Sequence, residues 1–303
     1  MPKYHSFSLG VQYQTSRSST LEVSYVGSRS VDLNNTRAFN IPTLDFRKQC
    51  NPLEGGSVAF CDAQLDNPFK GLAAFANTGY FTSNTISRYN LNRPFPQFTG
   101  DLTRRGDNNA KAWYNSMQIN YNQRIANSLT LLTNYTLSKT MELSGYNDPF
   151  ANVAQQGLYF NDRPHFFKFT AVYELPFGKG KALGAGSHGL AQKLISGWEA
   201  TSFYTNASGE PADLPGNVIQ VKDPKIQNVD WKANKVQGWQ PCTQRINNNG
   251  ALTYTNCGTV AAGTTPDFYW IQLPSYAPRA TPFRSGQIRK HRAFTLDASL
   301  NKS

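Results

Sequence analysis

Charged residues are scarce in this 303-residue sequence, at 16% against roughly 25% in typical soluble domains. Acidic residues are the scarcest, 19 Asp+Glu against 30 Lys+Arg, which leaves a net charge of +11. Such a balance can mean nucleic acid or an anionic membrane surface as a partner. Here the cations are dispersed, and no Lys/Arg-rich helix, zinc-finger spacing or RNA-binding aromatic signature accompanies them, which argues against nucleic acid. Long apolar runs are also missing. None approaches the roughly 18 residues of a membrane-spanning helix, so a helical membrane protein is excluded. The four histidines (His5, His165, His188 and His291) are scattered and no CxxC occurs, so neither a metal site nor a cofactor is expected. Catalytic signatures are absent too: there is no GxSxG elbow, HExxH or EF-hand loop. The run Gly178-Lys179-Gly180-Lys181 to Gly186 lacks phosphate-loop order and follows a strand ending in Leu175-Pro176-Phe177, so it reads as a turn. Asn147-Asp148-Pro149 reads as another turn, with no second carboxylate beside Asp148. No catalytic residue is assigned, and the chain is not expected to be an enzyme.

Aromatic residues are plentiful at 13%, yet mean hydropathy is −0.52, because the polar share is Asn, Gln, Ser and Thr. So many Tyr, Phe and Leu residues exclude a disordered chain. The four cysteines fall into two local pairs, Cys50 with Cys61 and Cys242 with Cys257, each bracketing a short polar stretch. We expect two loop disulfides, each contributing about 3 kcal/mol in the chain-entropy model and implying an oxidising compartment. Met1-Pro2-Lys3-Tyr4 has no apolar export core. The cysteines therefore favour a chain that begins partway through a longer exported one.

Strand signals dominate. Phe7, Leu9, Val11 and Tyr13 alternate with polar residues, and after the turn at 16–19 Leu21, Val23 and Tyr25 do the same. Met117, Ile119 and Tyr121 continue the pattern, followed across a turn at 125–128 by Leu129, Leu131, Tyr135 and Leu137. Phe167, Phe169, Ala171, Tyr173 and Leu175 form a fifth run. Weaker ones cover Trp198–Ser208 and Phe294–Leu300. Period-2 alternation means one apolar and one polar face. Glu22, Arg124, Lys168, Glu174, Glu199 and Asp297 all sit on the polar parity, as a lipid-facing surface demands. Tyr13, Tyr25, Tyr121, Tyr135, Tyr173 and Tyr204 share the apolar parity and suit an interfacial girdle. Connections alternate short and long. The turns at 16–19 and 125–128 and the moderate connection 177–197 interleave with long segments at about 27–111, 139–164 and 209–290. Outer-membrane barrels pair short periplasmic turns with long extracellular loops, and both cysteine pairs fall on the long-loop side.

Several segments then resemble a known family. Ser19–Leu33 (STLEVSYVGSRSVDL), Asn92–Gly100 (NRPFPQFTG), Tyr114–Met141, Asp162–Lys181 (DRPHFFKFTAVYELPFGKGK) and Ile195–Pro211 are similar, in order, to the barrel of Oar-like TonB-dependent transporters. The resemblance implies a barrel of about 22 strands, closed by an N-terminal plug and energised through TonB, ExbB and ExbD. It identifies residues 1–303 as the C-terminal part of such a barrel, with the plug and TonB box lying elsewhere.

The expected fold is therefore all-β: an antiparallel transmembrane β-barrel, present as a partial, open section with long extracellular loops. The expected location is the cell outer membrane, with lipid and lipopolysaccharide as surroundings. The expected function is ligand capture by the long loops for energised uptake. The ligand class stays open among siderophore, cobalamin, oligosaccharide and peptide, and no single substrate-binding residue is assigned. Two other readings are a passive porin-like barrel with a polar lumen, and a soluble secreted β-protein that binds glycans through Trp231, Trp239 and Tyr269.

Overall fold

The computed structural model describes residues 1–98, 100–126, 128–146, 154–223, 229–230, 235–236, 241–261 and 263–302. Seven long strands form its frame: β1 (Lys3–Ser16), β2 (Ser19–Ala38), β3 (Thr103–Ile125), β4 (Leu129–Leu143), β5 (His165–Glu174), β6 (Trp198–Ala207) and β7 (Ala293–Lys302). With the short strand Gln156–Leu158 on β4 they make one eight-stranded sheet, in which β1 to β7 follow chain order. Every pairing is antiparallel. This is an up-and-down meander, the topology of a barrel wall. β1 and β7 are its two edges and do not pair with each other, so the wall is an open section.

The register gives each face its chemistry. One cross-strand row runs Val11, Val23, Ile119, Tyr135 and Phe167. A neighbouring row on the same face runs Tyr13, Leu21, Tyr121, Thr133, Phe169, Tyr204 and Leu296. Much of this face is exposed, including Leu9, Val11, Tyr13, Val23, Tyr25, Met117, Leu137, Phe294 and Leu296. From the strand spacing and rise, the patch covers on the order of 800 Å², beyond the roughly 300–600 Å² typical of a soluble monomer's largest apolar patch. Its natural solvent is lipid. All six girdle tyrosines share this face. Three of their hydroxyls find polar partners there, Tyr25 donating to Asn115 Oδ1 at 2.8 Å, Tyr135 meeting His165 Nδ1 at 2.7 Å and Tyr204 accepting from Asn206 Nδ2 at 3.0 Å.

The opposite face holds Gln12, Glu22, Asn120, Asn134, Lys168 and Thr205 in one row. Arg124, Glu174, Glu199 and Asp297 share that face by register. Leu132 and Phe203 lie on it as well, since a lumen does not forbid apolar groups as lipid forbids charges.

The strand boundaries differ from the sequence reading. β2 continues to Ala38 and β3 begins at Thr103, so the first long connection is 39–102 rather than 27–111. The third becomes 208–292, and β4 runs on to Leu143. The physical reason lies in Arg29, Asp32, Arg104, Arg105 and Asp107. Where strands rise beyond the hydrocarbon both faces are wet, so alternation fades while the backbone ladder continues. Register shifts near Leu33 and Asn35 mark the same stretch. The connection 177–197 holds a helix, Gly189–Ile195, that the sequence reading did not foresee. Its glycine run does turn the chain, with Gly178, Gly180 and Gly184 at positive φ. The expected turn at Asn147-Asp148-Pro149 lies outside the described residues. No helix among them is long and apolar enough to cross a membrane.

Candidate functional site: the clasped loop end

Antiparallel order sends 39–102, 144–164 and 208–292 to one end of the wall, and the short connections to the other. The long connections are folded structures held by side chains. In the first, Asn40 is fully buried. Its amide donates to the carbonyls of Phe95 (3.1 Å) and Gly100 (3.2 Å), and its Oδ1 accepts from Phe95 N–H at 2.9 Å. One side chain thus closes a loop of about 60 residues. Cys50 and Cys61 form a disulfide between the helices Leu44–Cys50 and Val58–Asp62, with Cα atoms 5.4 Å apart. Thr43 and Ser57 cap those helices by accepting from N–H groups of their first turns. Asn67 repeats the role of Asn40, donating to Tyr80 and Ser83 carbonyls at 2.8 and 2.9 Å.

Ion pairs clasp the other two loops. Asp162 is 1% exposed and accepts from Thr140 N–H and from the Arg289 guanidinium, both at 2.7 Å. Arg289 also donates to the carbonyls of Asp162 and Gly209. Arg163 reaches Glu210 at 2.7 Å and Lys290 reaches the same carboxylate at 3.1 Å. The hydrogen bond from Lys290, joined by the charge of Arg163, holds Glu210 below the usual carboxylate range. Arg284 bridges Glu142 and Asp213 and donates to Leu158 O at 2.9 Å. The strand Arg284–Arg289, which carries two of these arginines, pairs with Pro211–Asp213 over a small core of Ala212, Leu214 and Ile288.

Beyond it, Val218–Gln220, Trp270–Gln272, Thr243–Ile246 and Leu252–Thr255 form a second sheet. Cys242 and Cys257 are disulfide-bonded at its margin, with Cα atoms 4.2 Å apart. Tyr276 then carries this loop to the first one. Its ring packs tilted against Tyr89 at 4.8 Å between centroids and its hydroxyl donates to Asp62, and burial with that bond raises its pKa above the ordinary phenol range. The three loops therefore form one connected cap.

All four cysteines of the sequence reading lie in this cap, in the two local pairs. Of the aromatics considered for glycans, Tyr269 is half-buried with its hydroxyl on Asp267, while Trp231 and Trp239 lie outside the described residues. Sequence reasoning missed the clasp residues Asp162, Arg163, Glu210, Arg284 and Arg289. Their partners lie as far as 142 positions away, and no local pattern marks such pairs. Of the two Asn latches only Asn67 had a weak signal, since it precedes Pro68 as a turn-forming Asn does. On the polar face of the wall, Glu22, Asn120, Asn122, Asn134, Lys168 and Thr170 line a hollow of about 330 Å³.

An apolar belt outside, a polar face inside, short turns at one end and a folded cap at the other define the wall of an outer-membrane β-barrel. Comparison with known families agrees. The chain belongs to the family described as outer membrane beta barrel domain, whose model matches residues 1–303, and its location is the outer membrane. No curated protein and no solved structure matches it significantly.

Proposed function

We propose that this chain supplies wall and ligand-capturing cap to an energised outer-membrane transporter of the TonB-dependent, Oar-like type, without a catalytic step of its own. The observation that carries the proposal is the cap itself. Three long connections converge at one end and are tied by two disulfides, an ionic clasp and Asn latches. A passive pore needs an open mouth, whereas ligand capture gains from surfaces ordered before binding. In this reading TonB, ExbB and ExbD act through a plug and TonB box outside residues 1–303. Arg29 and Lys139 follow the apolar stretch on the outward face, where lipopolysaccharide phosphates would lie. The polar hollow on the inner face also suits a porin, so the test must separate the two. The intact protein, reconstituted in a planar bilayer, should show little steady conductance and should bind the purified periplasmic domain of TonB. Steady ohmic conductance without TonB binding would establish the porin reading instead.

A further inference from the structure

At the short-turn end of the wall, two connections run only 17–18 and 126–128, but the third carries the helix Gly189–Ile195. Seven residues are too few to hold a helix by themselves in water. None of them is fully buried, and the N-cap residue His188 makes no side-chain bond to the helix. What fixes the helix is its other end. Trp198 Nε1 donates to Leu194 O at 2.8 Å, and Lys302 Nζ donates to the carbonyls of Lys193 and Leu194. A cation there also meets the negative end of the helix dipole. Ile195 folds back over the glycine turn, so that a Cβ on Gly184 would stand 2.6 Å from its Cδ1. Trp198 and Lys302 are register partners, and both share the face of Tyr204 and Leu296, which is the lipid-facing one. The helix is therefore tethered to the outward side of the wall, at the lower rim of the apolar belt.

The surface that the helix presents is apolar. Leu190 and Leu194, four positions apart and so on one side of the helix, are 80% and 69% exposed. Phe177 and Leu183, earlier in the same connection, are exposed as well. Between Phe177 and Gly197 there is no Asp or Glu, against the three lysines Lys179, Lys181 and Lys193. Lys181 pairs with Glu174 of β5, while Lys179 and Lys193 make no ion pair among the described residues. Exposed leucines beside unpaired cations match a phospholipid surface, whose acyl chains take the first and whose anionic headgroups take the second.

We propose that the helix Gly189–Ile195 is an interfacial anchor that lies on the inner, phospholipid leaflet of the outer membrane. Leu190 and Leu194 sink among the upper acyl chains, and Lys179 and Lys193 stand at the anionic phosphates. The lipid that covers this face is continuous with the lipid around the belt. The anchor rests on the outer-membrane location and is the same for an energised and a passive barrel.

All four cysteines are disulfide-bonded, so one introduced cysteine takes a thiol-reactive, environment-sensitive dye alone. The intact protein is labelled at Leu190→Cys, at Leu194→Cys or, in the cap, at Ala74→Cys, and is reconstituted in vesicles of phosphatidylcholine and phosphatidylglycerol. All three positions are exposed, and only variants with wild-type heat-modifiability on gels are compared, so loss of fold does not imitate either result. At both helix positions the dye should emit to the blue of the cap dye and be quenched several-fold less by acrylamide. Nitroxides high on the acyl chain should quench it more than nitroxides near the chain end, as a depth of about 5–10 Å requires. Leaving out phosphatidylglycerol should raise the acrylamide quenching, and Lys179→Gln with Lys193→Gln should remove that lipid dependence. Acrylamide quenching at both helix positions equal to that in the cap would overturn the proposal. So would protection that arises only when the purified periplasmic domain of TonB is added, which would make the helix a protein-docking element. Protection indifferent to phosphatidylglycerol would overturn the part given to the lysines.

Discussion

Replacing Ile119 by Arg and, separately, its neighbour Asn120 by Arg tests which face of the wall meets lipid. The two positions are adjacent on β3 and differ only in the face they serve. Ile119 stands between Val23 and Tyr135, in a row that is apolar from Val11 to Phe167. Asn120 stands between Glu22 and Asn134, with Lys168 next in line. An outward Arg near the bilayer midplane costs about 2–4 kcal/mol, which is about 30- to 900-fold in a folding equilibrium. Inward, the new cation meets Glu22 and the polar hollow, so little cost is expected. Assembly of the intact protein into its own outer membrane should therefore fall steeply for Ile119→Arg and hardly for Asn120→Arg. Urea titration of lipid-refolded protein gives the same comparison as a midpoint shift. Equal tolerance at the two sites, or greater sensitivity at Asn120, would refute the lipid-facing assignment and the face reading built on it.

Asp162→Ala leaves Arg289 and the Thr140 N–H without their buried acceptor. It should destabilise the cap by about 3 kcal/mol, read as faster hydrogen exchange across 208–292 with the wall unchanged. The Glu210 bridge should be insensitive to mild acid. Its folded pKa is lowered, so its contribution is complete above the ordinary glutamate pKa and is lost only as pH falls through the lowered value. Protease sensitivity near 163–210 should rise only there, and Glu210→Gln should remove the transition. Cys50→Ser with Cys61→Ser should cost the first loop about 3 kcal/mol of local stability. Non-reducing peptide mapping of the unaltered protein should recover the pairs Cys50–Cys61 and Cys242–Cys257 without cross-linking between the loops.

The parts of the wall legible in the sequence are those on which hydrocarbon acts. Lipid tolerates no charge at Val23 or Ile119, so apolar side chains had to recur every second residue there. Ala38 and Thr103 feel no such demand, and the strand ends around them were invisible. The cap was less legible still. Its cysteine pairs are local and could be read from spacing, but the clasp joins Asp162 to Arg289 and Glu142 to Arg284, pairs that only the antiparallel return of β7 brings together. Asn40 presents the same difficulty in smaller form. It looks like any loop asparagine until the carbonyls of Phe95 and Gly100 are seen around it.

β2 and β3, at 20 and 23 residues, are about twice as long as a bilayer requires. With a tilt of roughly 40°, 23 residues climb about 58 Å, and an apolar band of about 25 Å leaves some 30 Å for a mast above the lipid. The apolar residues of β3, Met117 to Ile125, lie at its short-turn end, so the surplus stands on the cap's side. Paired along most of its length, this mast would carry the cap clear of the headgroups and into the carbohydrate layer of the cell surface. A ligand, a bacteriophage or an antibody arriving from outside would then meet the cap before it met the membrane.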